Sequence, residues 1–472
     1  MIIESITLKS EGPAAFSALK LQPALLENLA SLDYRVMTPI QAQSLPHILS
    51  AKDVIGQGKT GSGKTAAFGL GLLQNLDVKR FHVQSLVLCP TRELADQVAK
   101  ELRKLARAIH NIKVLTLCGG IPYGPQVGSL EHGAHIIVGT PGRVEEHLRK
   151  GSLQLAKLNT LVLDEADRML DMGFQATLDA IIKHVPQQRQ TLLFSATYPD
   201  QIKSITRRIM KDPVVVRVDT AHDNTSIQQY LYQVEKEMPR LTALRLLLLK
   251  HLPESTLIFC NTKLETQEVA DELSSYGFNA LALHGDLEQN ARDQALVRFA
   301  NKSVSVLVAT DVAARGLDVD LLDAVVNYQI ARNLEVHVHR IGRTGRAGSK
   351  GVAYTLYSEK EKYKLEALEE YLGQSIEALF LPTVELLEQP PFKSPMTTLQ
   401  IDGGKKKKVR PGDILGALTG KNGILGKQVG KIDVFDRCAY VAVNRDVAQI
   451  ALKQLVEGKL KGRSFRVRRI WD

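Results

Sequence analysis

Short apolar runs rich in β-branched residues alternate along this chain with longer stretches whose apolar positions recur at helical spacing. Ser85–Cys89, His135–Val138, Thr160–Leu163 and Thr191–Phe194 read as buried strands, with helices over Glu93–Ile109 and Gln175–His184 between them. The pattern breaks near Asp219–Asn224 and restarts, with strands at Thr256–Cys260, Val304–Val308, Ala324–Asn327 and Val352–Leu356. Strands that alternate with helices build βαβ units on parallel sheets, so residues 1–220 and 225–380 are predicted to form two α/β domains in tandem. Pro382, Pro390, Pro391 and Pro395 mark a linker over 381–396, because proline lacks an N–H and suits neither a helix interior nor a central strand. Residues 397–472 then read β (Thr398–Ile401), α (Pro411–Leu418), β (Lys431–Val434), β (Ala439–Val443), α (Asp446–Val456), β (Phe465–Ile470). That order predicts a small four-stranded sheet with two helices on one face.

Composition adds one decisive fact. Residues 397–472 hold 17 of the 61 lysines and arginines but only 7 of the 51 aspartates and glutamates, so the whole +10 excess lies there. A charge concentrated in this way fits a polyanion, either nucleic acid or an anionic membrane surface. A hydrophobic content of 44% with 24% charged residues is that of a globular protein, not a disordered one. No stretch approaches the ~18–20 uninterrupted apolar residues of a membrane helix. Met1 to Gly12 carries no basic-then-apolar leader, being interrupted by Glu4 and Lys9. Cys89, Cys118, Cys260 and Cys438 are scattered without metal-ligand spacing and read as reduced thiols. A cytoplasmic protein with no membrane partner is expected, and no obligate protein partner is evident.

The chemistry begins at Gly58-x-x-x-x-Gly63-Lys64-Thr65, which follows the apolar pair Val54–Ile55 and opens a helical run. Glycines let successive backbone N–H groups turn inward on a phosphate, and the helix N-terminus adds its dipole. Lys64 is placed to reach the outer phosphates and Thr65 to hold Mg2+. About a hundred residues on, the strand Leu161–Leu163 runs into Asp164-Glu165-Ala166-Asp167. An apolar strand ending on an acidic pair is the second half of a phosphate-loop apparatus: Asp164 for Mg2+, Glu165 to orient the attacking water.

Asp164-Glu165-Ala166-Asp167 is the signature of the DEAD-box helicases, and the chain resembles that family over roughly residues 14–360, with some ten motifs in family order. Thr38-Pro39-Ile40-Gln41, with Phe16 upstream, resembles the adenine-reading Q motif. Pro90-Thr91-Arg92-Glu93-Leu94-Ala95, Gly119-Gly120 and Thr140-Pro141-Gly142-Arg143 resemble elements that grip one RNA strand. Ser195-Ala196-Thr197 resembles the element that couples hydrolysis to strand separation. The series continues with Phe259-Cys260-Asn261-Thr262, Gln289-x-x-Arg292, Ala309-Thr310-Asp311 and Arg315-Gly316-Leu317-Asp318, and closes with His339-Arg340-Ile341-Gly342-Arg343-Thr344-Gly345-Arg346.

The resemblance implies two RecA-like domains and an RNA-stimulated ATPase that unwinds RNA locally, with ATP and Mg2+ as its cofactors. ATP would be bound by Phe16, Gln41, the loop Gly58, Lys59, Thr60, Gly61, Ser62, Gly63, Lys64 and Thr65, and Asp318. Arg343 and Arg346 would join Lys64, Asp164 and Glu165 as catalytic groups, meeting the charge that develops on the transferred phosphoryl. Asp167, Ser195, Thr197 and His339 would couple hydrolysis to RNA, and Asn261, Arg292 and Thr310 would join the gripping motifs. Two positions depart from the family pattern: Gly58 where alanine is usual, and Asp33 where glycine is usual.

The tail has the strand order of an RRM. Lys405, Lys406, Lys407, Lys408 and Arg410 form a basic loop, and Arg466 and Arg468 alternate with the apolar Phe465 and Val467. An RRM ordinarily stacks bases on aromatics of its central strands, and only Tyr440 of that set is present, so binding through charged loops and edges is expected. The stretches Gly412–Leu418 and Gly430–Asp433 resemble the bacterial DbpA/YxiN group. That group implies anchoring to a hairpin of large-subunit (23S) ribosomal RNA and remodelling of large-subunit assembly intermediates, hence a role in ribosome biogenesis. A general RNA-turnover helicase with a nonspecific basic tail, an ATP-gated RNA clamp and, last, a DNA helicase stay open on the residues alone.

Overall fold

A computed structural model describes residues 14–58, 61–218, 227–314, 322–331, 333–345, 351–420 and 423–470. The chain divides after Ala221 into two compact units. In the first, β1 (Val54–Gln57), β2 (Ser85–Leu88), β3 (Val114–Leu117), β4 (Ile136–Gly139), β5 (Thr160–Asp164), β6 (Gln190–Ser195) and β7 (Val214–Arg217) form one parallel sheet in the order β3-β4-β2-β5-β6-β1-β7. Helices cover both faces, which is why the strands read as nearly continuous Val, Ile and Leu. Val87, Val162, Leu192 and Phe194 pack into one apolar cluster, while Leu86, Leu88, Leu161, Leu163 and Leu193 pack into the other. That two-residue alternation is the pleat sorting side chains between the two faces.

The second unit holds a sheet of the same topology, formed by β8 (Ile227–Val234), β9 (Thr256–Cys260), β10 (Ala280–Leu283), β11 (Val306–Thr310), β12 (Ala324–Asn327), β13 (Gly351–Ser358) and β14 (Glu377–Leu379). Their order, β10-β11-β9-β12-β13-β8-β14, matches the first sheet place for place. The strands expected from the apolar runs lie within two residues of these bounds. The helix expected over Glu93–Ile109 stops at Leu105, where the chain tightens into i→i+3 turns at Arg107 and Ile109. The proline-marked segment after β14 is not a free tether: Val384–Glu388 forms a 3-10 turn, and Leu381 and Leu387 pack on the second sheet's core.

The tail is the antiparallel sheet β16-β17-β15-β18, from β15 (Met396–Ile401), β16 (Val429–Val434), β17 (Ala439–Asn444) and β18 (Val467–Ile470). Helices Pro411–Leu418 and Ala448–Glu457 pack over Leu399, Ile401, Val441 and Val443 on one face. On the opposite face Thr398, Gln400, Tyr440 and Ala442 are 1%, 8%, 6% and 0% exposed. Contact with the second α/β domain accounts for part of this burial. Asn301, just past helix Gln289–Ala300, donates from Nδ2 to Thr398 Oγ1 (2.9 Å). The Ser303 and Thr398 hydroxyls are bonded, and the Ser394 hydroxyl donates to the Lys302 carbonyl.

Candidate nucleotide and RNA site

Ligands of open α/β sheets bind beyond the carboxyl ends of the strands, and there the first sheet gathers its chemistry. The Gly58 N–H leaves β1 by donating to the Ser195 carbonyl (3.1 Å), and Gly61 and Gly63 then take left-handed φ of 83° and 92°. A Cβ on Gly63 would come within 2.4 Å of Gln41 Nε2, so glycine is required both for φ and for space. Two side chains tie the loop's carbonyls from outside: Thr38 Oγ1 donates to Ser62 O (2.8 Å) and Gln41 Nε2 to Gly63 O (3.1 Å). Gln41 Oε1 also accepts the Thr38 N–H (2.9 Å), completing a capping box for helix Pro39–Leu49. Drawing those carbonyls toward Thr38 and Gln41 leaves the loop's N–H groups for an anion.

Helix Lys64–Gln74 follows at once. Lys64 is 7% exposed, and its ammonium donates to the Gly58 carbonyl. Ser62 Oγ is buried without a hydrogen-bond partner among the described residues, an orphaned polar atom of the kind a phosphate oxygen would satisfy. At Gly58 an added Cβ would meet Ser62 Oγ at 3.1 Å, so glycine in place of alanine opens room without removing a ligand. Asp33 has φ 60°, which explains why glycine suits that position. Phe16 is buried in the core, edge-on to Tyr34. Lys59, Thr60, Asp318 and Arg346 lie outside the described residues.

The acidic end sits on the neighbouring strands. β5 delivers Asp164, buried, and Glu165 follows in the left-handed region (φ 52°, ψ 52°) before helix Ala166–Asp171. A non-glycine residue there is held at a cost. Glu165 Oε2 pairs with Arg168 Nη1 at 2.6 Å, both side chains being buried. Burial, and then the charge of Glu165, push the Asp164 carboxyl up to about 7, with Lys64 opposing. Burial pulls the Lys64 ammonium down. Such a carboxyl is one whose charged form a divalent cation would favour. The oxygens of Thr65 and Asp164 fit Mg2+, which takes few protein ligands and fills its shell with phosphate and water.

Asp167 bridges to the next strand. Its Oδ2 accepts from the Ala196 N–H (3.2 Å), the Thr197 N–H (2.9 Å) and the Thr197 hydroxyl (3.0 Å), and its own N–H donates to Ser195 Oγ (3.3 Å). The acidic turn after β5 and the turn after β6 are therefore one hydrogen-bonded piece.

At the other end of the same sheet edge, adjacency of β3, β4 and β2 brings three expected RNA-gripping elements together. Thr91 caps helix Arg92–Leu105 by accepting the Leu94 N–H (3.3 Å), behind the buried Pro90. Gly119 and Gly120 follow β3; nothing lies within 4 Å of a Cβ built on Gly119, and Gly120 has φ 74°. Thr140 starts helix Pro141–Arg149 with Gly142 exposed, and Arg143 donates from Nη1 to Ile121 O (3.0 Å).

In the second sheet Asn261 follows β9 and Thr310 ends β11, while Arg292 lies half-buried on helix Gln289–Ala300. His339 is half-buried near the end of helix Leu334–Ile341, and Arg343, buried just after it, donates its N–H to the Arg340 carbonyl (3.2 Å). The residue that organises this end is Arg340. Its guanidinium donates to both Asp311 oxygens (2.6 and 2.8 Å), to Asn261 Oδ1 (2.8 Å) and to the Gln329 carbonyl (2.8 Å). Sequence reasoning quoted Arg340 inside a motif without giving it a role; its signal was only that position.

In the tail, Lys405–Lys407 form an exposed 3-10 turn pinned by the Lys405 N–H to Phe435 O (2.8 Å) and the Lys406 N–H to Asp436 O (3.0 Å). Lys408, Arg410, Arg466 and Arg468 are also exposed. Lys461, which the sequence reading passed over, donates to the Lys408 carbonyl (3.3 Å) and brings the loop after helix Ala448–Glu457 beside the lysine run. Tyr440 is buried, edge-on to Phe435 and close enough to Asp293 of the second α/β domain to sense its charge.

Comparison with known proteins agrees with this arrangement. Residues 38–205 match the DEAD/DEAH box helicase family, 239–348 the helicase conserved C-terminal domain and 398–469 the DbpA RNA binding domain. The chain is 53% identical to the ATP-dependent RNA helicase DbpA of Escherichia coli, covering 96% of this chain and 99% of that one. It is 36% identical to the Bacillus subtilis protein of the same name over 96% and 98%. The structure of S. cerevisiae Dbp5 bound to RNA and ADP BeF3 superposes with a TM-score of 0.69 at 30% identity, covering 79% of this chain and 100% of that one. The chain therefore belongs to the DEAD-box family of ATP-dependent RNA helicases, in the group whose members carry the DbpA RNA binding domain.

Proposed function

We propose that this helicase is directed by its tail to large-subunit 23S ribosomal RNA and remodels assembly intermediates there, as a cytoplasmic ribosome-biogenesis enzyme. The observation that carries the mode of binding is the burial of the tail's sheet face against the second α/β domain while its lysine loop stays exposed. RNA then meets Lys405–Lys408, Arg410, Arg466 and Arg468, in keeping with the +10 charge concentrated in residues 397–472. In the first unit the loop from Gly58 to Thr65 takes the phosphates, Lys64 offsets their charge, and Glu165 orients water. Thr65 and Asp164 would hold Mg2+, which would supply positive charge against the phosphates. Pro90–Arg92, Gly119–Gly120 and Thr140–Arg143 take the sugar-phosphate backbone, joined by Asn261, Arg292 and Thr310. Asp167, Ser195, Thr197 and His339 carry the state of the nucleotide to those contacts, and Arg343 meets the charge on the transferred phosphoryl.

The test is ATPase rate against concentration of a 23S fragment, an unrelated RNA of equal length and a DNA. Charge reversal at Lys406 and Lys407 is cleaner than deleting the tail, because deletion would uncover Asn301 and Ser303. Half-saturation at far lower concentration for the 23S fragment, lost in K406E/K407E, is expected. Equal half-saturation by both RNAs makes the tail a general anchor of a turnover helicase; ATP hydrolysis without strand separation makes the protein a clamp.

A further inference from the structure

Behind the Gly119–Gly120 turn runs a chain of buried hydrogen bonds whose proton positions can be deduced. Gln126 Nε2 donates to the Cys118 carbonyl (3.0 Å), the residue just before Gly119. That fixes the amide, so its Oε1 is the acceptor facing His147 Nε2 at 3.1 Å, and Nε2 must carry the imidazole proton. His147 Nδ1 is then a bare acceptor 2.8 Å from Ser152 Oγ, whose hydrogen is shared between that nitrogen and the His147 carbonyl at 3.2 Å. The Ser152 oxygen, its hydrogen committed, accepts from Tyr123 O–H at 2.6 Å. The series is thus anchored to the helix backbone as well as to the ring. His147 is 0% exposed, and its ring stacks on Tyr123 with centroids 4.3 Å apart. Burial pulls the imidazole down to about 4, so it stays neutral.

We propose that His147 is a positioning residue for RNA, acting through the chain Tyr123–Ser152–His147–Gln126 to hold the Cys118 carbonyl and with it the Gly119–Gly120 turn. The inference rests on reading Gly119–Gly120 and Arg143 as RNA contacts. His147 lies one turn beyond Arg143 on helix Pro141–Arg149, and Arg143 itself donates to Ile121 O, so one helix sets both flanks of the glycine turn. Glycines give that turn no side chains with which to hold its own shape, which makes a support from behind necessary. Gln126 and His147 are the interior polar groups that provide it.

The experiment compares H147L, H147Q and R143A in RNA-stimulated ATPase. H147L should raise the RNA concentration for half-maximal rate roughly tenfold, the scale of unmaking one buried hydrogen bond at a binding turn. The rate at saturating RNA and the KM for ATP should not move. H147Q, whose amide N–H can still meet Gln126 Oε1, should recover most of the loss. An unchanged half-saturation in H147L while R143A raises it would overturn the positioning role, as would an equal loss at saturating RNA. If R143A also leaves half-saturation unchanged, the reading of this edge as an RNA contact fails, and the positioning role with it. Where H147L does not fold, the ring 15N shifts of the unaltered protein decide: a proton on Nε2 is expected, and one on Nδ1 refutes the chain.

Discussion

The two seven-stranded sheets share one strand order and differ in what their strand ends carry. β1 and β8 hold the same place, yet β1 opens into Gly58–Gly63 and a helix beginning at Lys64, whereas β8 passes through Glu235–Pro239 to a helix beginning at Arg240. β5 ends on Asp164 and Glu165; β12 ends on Asn327, followed by Tyr328. β2 and β9 keep the same device, a threonine N-cap: Thr91 accepts from Leu94 and Thr262 from Glu265. The hubs are opposite in sign. Asp167 gathers backbone N–H groups in the first sheet, and Arg340 gathers carboxylate, amide and carbonyl oxygens in the second. Topology sets which strand ends are neighbours; the residues placed there decide whether that edge handles a nucleotide.

The sharpest way to break the comparison is at the matching ends of β5 and β12. Glu165→Gln should lower phosphate release at saturating RNA by about 10²–10⁴, the usual worth of a positioned base. Tyr328→Phe should change it less than about twofold, since no proton transfer is assigned to that end. Nearly full turnover in Glu165→Gln would place the base elsewhere. Next come the hubs. Arg340→Gln should cost the second unit about 3–5 kcal/mol by leaving the Asp311 carboxylate short of its partner. Asp167→Asn should cost about 1–3 kcal/mol, because an amide oxygen still accepts. Urea unfolding of each variant measures both, and equal losses would remove the contrast.

The smallest effect tests the electrostatics of the acidic end. Because the folded Asp164 carboxyl titrates near 7 against 3.8 when free, folding takes up a proton between those values. Stability from this group is complete below pH 4 and lost as pH rises through 7. Asp164→Asn should therefore stabilise the nucleotide-free protein by about 1–4 kcal/mol at pH 7 while abolishing hydrolysis. The gap in Tm between the two proteins should widen from pH 4 to 7 and then level. A gap independent of pH would show the carboxyl to be solvated.

Legibility in the sequence followed chemistry and burial. Gly58–Thr65 and Asp164–Asp167 could be read because phosphate and metal chemistry permits few residue types at those spacings, and the central strands because they are apolar throughout. β8 was missed, since Ile227-Gln228-Gln229-Tyr230-Leu231-Tyr232 interleaves polar residues on a strand near the sheet's edge. β14, three residues long, is too short to show a period. The tail's buried face was not legible at all. Thr398, Gln400 and Ala442 are what a solvent-facing strand would carry, and contact with the neighbouring domain contributes to making them interior. Arg340 and His147 escaped for a related reason: each acts through partners distant in sequence, and no spacing rule reveals such partners.

The seating of the tail on the second α/β domain has a geometric consequence. Two binding modules on a loose string sample many separations, and the second site sees a smeared effective concentration of whatever the first has caught. Here Val384–Glu388 is packed down and Thr398 is bonded to Asn301, so the string has been replaced by a splint. On the reading proposed above, RNA held at the lysine loop would be offered to the ends of β9 and β11 at a set span. On that reading the enzyme would select its substrates by a ruler as well as by charge: a duplex at the wrong offset from the anchoring element would gain nothing from being anchored.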